Sequence, residues 1–171
     1  TIVDPHRVGH ELLYYPGMAN LLMADMVLIN KIQTASPDNV NQVRKNISLY
    51  NPRALIIEAA SPVSVENPDL VKGKRVLVVE DGPTLTHGGM TFGAGELAAQ
   101  EFSAGERVDP KPHAVGSIKT TYEKFPHLTT ILPAMGYGKV QIKELEDTIN
   151  AVDCDVVLTG TPIDLGRIVK V

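Results

Sequence analysis

One cysteine in 171 residues, Cys154, leaves the chain unable to form an internal disulfide. A reducing, cytoplasmic setting is therefore expected. Cys154 stands just before an apolar run and reads as a small buried residue, not a nucleophile. No apolar run approaches the ~20 residues of a membrane span, and no signal peptide is visible, so no membrane partner is expected. There is no basic block and no Arg/Lys patch interleaved with aromatics, and the net charge is −4. Nucleic acid is thereby excluded as the main partner. No Gly-x-x-x-x-Gly-Lys-Ser/Thr occurs either. If the chain belongs to a P-loop domain, its phosphate loop is expected upstream of Thr1. An initiator Met is also missing, and Ile168-Val169-Lys170-Val171 reads as the start of a further strand. The chain is accordingly expected to be the C-terminal portion of a longer polypeptide.

What is present is an alternation of strands and helices. With 43% hydrophobic and 21% charged residues the composition is that of one globular α/β domain. Strands are expected over 26–29, 54–60, 75–80, 130–132 and 155–158, with a short one near 107–109. Val40, Val43, Ile47 and Tyr50 mark one helix face, opened by Ser36-Pro37 and closed by Asn51-Pro52. Ile142, Leu145, Ile149 and Val152 mark a second, while Met18, Leu21 and Leu22 suggest a short helix and 117–125 a weaker one. The order implies a mainly parallel sheet with helices on both faces, a Rossmann-like, P-loop NTPase-like architecture. The polar stretch Val65 to Gly73 is a candidate subdomain joint or an ordinary connection.

In open α/β sheets ligands bind where strands end, and several strand ends here carry polar residues. Asp4 closes Thr1-Ile2-Val3, as a magnesium-binding carboxylate does in P-loop hydrolases. Arg7 and His10 follow it, a guanidinium suited to phosphate and an imidazole suited to proton relay. His6 and His10 would share one face if this stretch were helical, which makes zinc conceivable without a third ligand to support it. Asn30-Lys31-Ile32-Gln33 is similar to the Asn-Lys-x-Asp element that reads guanine, with Gln33 in place of Asp, so that selectivity is open between ATP and GTP. Ser61, after the next strand, stands where a Ser loop touches the base in such proteins. Asp81 to Met90 joins a buried strand to a helix start and contains Asp81, Thr86, His87, Gly88 and Gly89. Glycines there let backbone N–H groups approach an anion. Thr161, in Thr159-Gly160-Thr161-Pro162, offers a similar turn, and Lys119 and Arg167 are further candidate cations.

Asp-Pro-His-Arg-Val-Gly-His-Glu (4–11), Leu-Ile-Asn-Lys-Ile (28–32), Glu-Asp-Gly-Pro-Thr-Leu-Thr-His-Gly-Gly-Met (80–90), Leu-Pro-Ala-Met-Gly-Tyr (132–137) and Asp-Cys-Asp-Val-Val-Leu-Thr-Gly-Thr-Pro-Ile-Asp-Leu (153–165) together resemble the cyclic 2,3-diphosphoglycerate synthetase family, also described as predicted GTPases. The resemblance implies ATP-dependent closure of an internal phosphoanhydride in a diphosphorylated small molecule, with Mg2+ and ATP or GTP as cofactors. Relatives commonly carry Asp where Gln33 stands. Such a site works by positioning and charge neutralisation. Arg7, His10, His87 and Lys119 are its catalytic candidates, and Asp4 its metal ligand. Asn30, Lys31, Gln33 and Ser61 would hold the nucleotide, and Asp81, Thr86, Gly88, Gly89 and Thr161 the phosphorylated substrate. Two other readings stand beside it. One is a regulatory or metal-insertion GTPase, the other a non-catalytic phosphate-ligand-binding domain. A homo-oligomer is compatible with all three.

Overall fold

Seven short strands, most of them rich in branched apolar residues and each parallel to its partners, carry this computed structural model, which describes residues 1–170. They fall in two compact units, Thr1–Pro62 and Val63 onward. The division precedes the polar stretch 65–73.

The first unit runs β1 (Ile2–Val3), α1 (His10–Leu13), α2 (Gly17–Met23), β2 (Met26–Ile29), α3 (Pro37–Tyr50) and β3 (Leu55–Glu58). The sheet order is β1-β2-β3, all parallel. α3 starts where Ser36 caps it, its Oγ accepting from the Asn39 N–H at 3.2 Å with Pro37 at the first helical position. It ends at Asn51, whose amide donates to the carbonyls of Leu21 and Ala24 at 2.9 and 2.8 Å. The expected face of α3, Val40, Val43 and Ile47, packs with Leu21, Val3, Val27 and Ile29 into one core.

Strand alternation puts Ile2, Leu28 and Ile57 side by side on the opposite face, with Met26 beside Leu55. That face is apolar yet open: Ile2 is 69% exposed, Leu55 58%, Met26 47% and Ile57 37%.

The second unit runs β4 (Arg75–Asp81), α4 (Gly82–Thr86), α5 (Ala94–Glu101), β5 (Glu106–Arg107), α6 (Gly116–Lys124), β6 (Ile131–Ala134), α7 (Lys139–Ala151) and β7 (Val156–Gly160). β4 is central, pairing in parallel with β5, β6 and β7. Its alternating residues feed two cores. Leu77 and Val79 pack with Ile118 of α6 and Leu145 and Ile149 of α7. Val76 and Val78 pack with Leu85 of α4 and Ala99 of α5. Helices therefore cover both faces here, as parallel sheets require.

Residues 168–170 are not the strand expected from their composition. Val169 is buried in the core beside Leu165, and Lys170 is tied to α7 through Glu146 and Asn150 at 3.0 and 2.8 Å. Burial on a helix outweighs β propensity at this point. Val171 lies outside the described residues.

Candidate functional site

The parallel order of the first sheet brings the ends of its three strands to one edge. Asp4 follows β1, Asn30 and Lys31 follow β2, and Ser61 lies three residues beyond β3. The Lys31 ammonium reaches Asp4 Oδ2 at 2.7 Å. The other oxygen of Asp4 caps the short turn Pro5–Arg7 by accepting from the His6 N–H at 3.0 Å. Burial pushes the Asp4 carboxyl up, but the Lys31 ammonium and the His6 N–H outweigh it, so the group sits below the usual carboxylate range. Lys31 holds a left-handed backbone, φ 57°. A long side chain pays for that conformation sterically, and such outliers gather at functional sites. Its carbonyl accepts from the Thr34 and Ala35 N–H groups, which closes the turn.

Gln33 joins the cluster in a way the sequence did not show. Its Oε1 accepts from the Ser61 N–H at 3.1 Å. The two nucleotide-binding candidates on neighbouring strand ends are thus fastened to one another. His6 is held by Thr34 at 2.9 Å.

His6 and His10 do not share a helix face. His6 lies in the turn 5–7, and Gly9, at φ +94°, breaks the chain before α1 begins at His10. A Gly-rich break uncouples the i, i+4 spacing on which a zinc pair depends. Among the described residues no group of three His, Cys, Asp or Glu could hold a metal ion. His10 instead stacks on Tyr14, ring centroids 5.0 Å apart.

In the second unit residues 82–86 of the stretch 81–90 form α4, and 87–90 leave it as an irregular turn. Asp81 is the N-cap of α4, its Oδ2 accepting from the Thr84 N–H and hydroxyl at 3.1 and 2.7 Å. The buried Thr86 hydroxyl donates to the Gly82 carbonyl at 2.9 Å. The His87 and Gly88 N–H groups both donate to the Pro83 carbonyl, at 3.0 and 3.2 Å. The His87 side chain is exposed, and Gly89 turns left-handed at φ +61°. Thr161 bridges its own turn, its hydroxyl donating to the Ile163 carbonyl at 2.9 Å. Lys119 is exposed on α6, and Arg167 pairs with Asp164 at 2.9 Å.

Glu80, which sequence reasoning passed over, is a closely held polar group of this unit. It is 2% exposed at the end of β4. One oxygen accepts from the Gly93 and Glu96 N–H groups at 3.1 and 2.8 Å, holding the start of α5. Burial drives its carboxyl up, opposed by these N–H groups. A Cβ at Gly93 or Gly160 would collide with the carboxylate, so glycines 67 positions apart in sequence form its enclosure. The signal within the sequence is an acidic residue directly after the apolar run Val76 to Val79, followed by Gly93-Ala94-Gly95.

A groove of about 710 Å³ lies within this unit between residues 63–67, the start of α5 and the open edge of β7. None of the catalytic, nucleotide, substrate or metal candidates named from the sequence lines it, although Thr159 and Gly160 of the 153–165 motif do. Cys154 is half-buried against the core, and desolvation pushes its thiol up, which fits a packing role. Among the described residues no helix is long and apolar enough to cross a membrane.

Comparison with known proteins adds one strong likeness. The chain matches no protein-family profile and no solved structure. It is 63% identical over 167 residues to the arginine synthetase ArcE of Thermococcus kodakarensis. The match covers 98% of this chain and 37% of that protein, so the chain spans little more than a third of its relative.

Proposed function

We propose that the protein carrying this chain is a nucleotide-dependent synthetase whose product is arginine, and that the Asp4–Lys31–Gln33–Ser61 edge forms part of its nucleotide site. The observation that carries this reading is the 63% identity to an arginine synthetase over nearly the whole chain. The geometry supports it chemically. Converting a ureido group to a guanidinium replaces the carbonyl oxygen by nitrogen. That oxygen must leave as phosphate or a phosphate ester, which is where a nucleotide enters. The polar groups at this edge suit charge neutralisation and offer no activated nucleophile, as phosphoryl chemistry requires.

Mg2+ usually takes one or two carboxylates plus substrate phosphates. A single strand-end carboxylate, Asp4, fits that demand, and among the described residues no group of three His, Cys, Asp or Glu could hold an ion. When bound with a nucleotide, the ion neutralises phosphate charge. Lys31 orients the Asp4 carboxylate, and Gln33 fixes the Ser61 loop against which a base would lie.

The test uses the intact protein with Mg2+ and either ATP or GTP. One arm supplies the ureido counterpart of arginine with ammonium, and chromatography measures arginine. Nucleotide-dependent arginine formation is the expected result. A second arm supplies 2,3-diphosphoglycerate, because the motifs at 80–90 and 153–165 favour that substrate by resemblance. Cyclic anhydride formation in that arm alone would replace the arginine reading. Nucleotide hydrolysis without either product would favour a GTPase, and binding without turnover a non-catalytic role.

Gln33 gives a narrower check. Gln33→Ala is expected to release the Ser61 loop and weaken nucleotide binding severalfold. Gln33→Asp is expected to move preference towards GTP. Paired titrations of ATP and GTP measure both, and an unchanged ratio would leave Gln33 as a loop tie only.

A further inference from the structure

Arg7 ends the turn 5–7, and its Nε is buried without a hydrogen-bond partner. Folded proteins rarely leave a buried donor unpaired without a reason. Two carboxylates line the same cavity, so the natural expectation is an ion pair. None forms with Arg7 among the described residues, and each acid has other partners. Asp4 is held by Lys31 at 2.7 Å and by the His6 N–H at 3.0 Å. Glu11 is buried and accepts from the Gly9 N–H at 2.8 Å and from the Asn46 amide at 2.6 Å. Arg7 therefore has no ion-pair partner among the described residues, and its Nε has no acceptor.

The cavity beside it is about 230 Å³, lined by Arg7, Asp4, His10, Glu11, Tyr14 and Asn20 together with Thr1, β1 and Gly17. Its wall is rigid in two places. His10 is stacked on Tyr14. A Cβ at Gly17 would come within 2.7 Å of the His10 carbonyl, so backbone closely abuts backbone there. Size decides what enters. Whole drug-sized ligands occupy roughly 300–1,000 Å³, and a liquid water about 30 Å³. This cavity takes the charged head of a small molecule, not an entire nucleotide.

We propose that the Arg7 cavity is the receptor for an oxyanion head group of the small-molecule substrate, with the guanidinium as its two-pronged partner. Carboxylate and phosphate share that chemistry. The inference rests on the synthetase reading for the carboxylate source, since an amino acid brings one.

The experiment is calorimetric titration of the intact protein, wild type, Arg7→Gln and Arg7→Lys. The probes are arginine, its decarboxylated amine and inorganic phosphate. For a carboxylate, Arg7→Gln weakens arginine about ten- to hundredfold and leaves the decarboxylated amine unchanged, while Arg7→Lys recovers part of the loss. A loss confined to phosphate upholds the cavity and assigns it a phosphoryl group. If wild-type protein binds phosphate through Arg7 but binds no arginine, the synthetase reading falls and the cavity stands. Equal weakening of arginine and its decarboxylated amine, or no change with any probe, overturns the proposal. Unaltered melting of Arg7→Gln confirms that the comparison is between folded proteins.

Discussion

Replacing Glu80 with alanine is expected to lower unfolding free energy by about 2–6 kcal/mol, because it strands the Gly93 and Glu96 N–H groups at roughly 1–3 kcal/mol each. Urea titration of the intact protein measures it. Glu80→Gln keeps one acceptor and should lose less. The two variants also separate in pH. The native carboxyl is raised by burial, so the folded protein keeps its proton at pH values where the unfolded chain has released it. Its contribution is fully present below the ordinary glutamate range and fades as pH rises through the native value. Glu80→Gln should flatten that part of the stability profile, and an unchanged slope would show that burial of Glu80 has no energetic consequence.

Asp4→Ala in the intact protein is expected to reduce nucleotide-dependent turnover by about 10²-fold, the scale set by loss of one preorganised charge-stabilising group. Lys31→Ala should approach the same value, and the double variant should cost much less than the sum, since the two side chains act as one pair. Asp4 has the opposite pH sign to Glu80. Its depressed carboxyl contributes above the unfolded carboxylate value, and that contribution is lost as pH falls through the native one. Steady-state kinetics of the three variants would decide. Turnover equal to wild type in Asp4→Ala would remove this edge from the reaction.

Much of the fold could be read in advance, and the reasons are local. Ser36-Pro37 is a helix start by the side chain's own hydrogen bond, and the faces of α3 and α7 repeat within fourteen and thirteen residues. α4 was legible too, through Asp81 as a cap and Pro83 in the first turn, but the pull of Gly88-Gly89 favoured a loop. The bond from Gln33 to the Ser61 N–H and the glycine enclosure of Glu80 were not legible. Both depend on which strands lie side by side, and a one-residue slip in register would dissolve either. The free guanidinium of Arg7 is hidden for a different reason. The sequence shows acids beside it, but not that those acids pair with other groups.

The bare face formed by Ile2, Leu28, Ile57, Met26 and Leu55 also governs how this polypeptide behaves as a solute. Contiguous apolar surface is rare on freely soluble monomers, and a net charge of −4 supplies little mutual repulsion. Where nothing else covers it, this face would set the concentration ceiling of the polypeptide. The remedy lies on the surface, since a lysine or glutamate at Leu55 would raise that ceiling without disturbing the core on the opposite side of the strands.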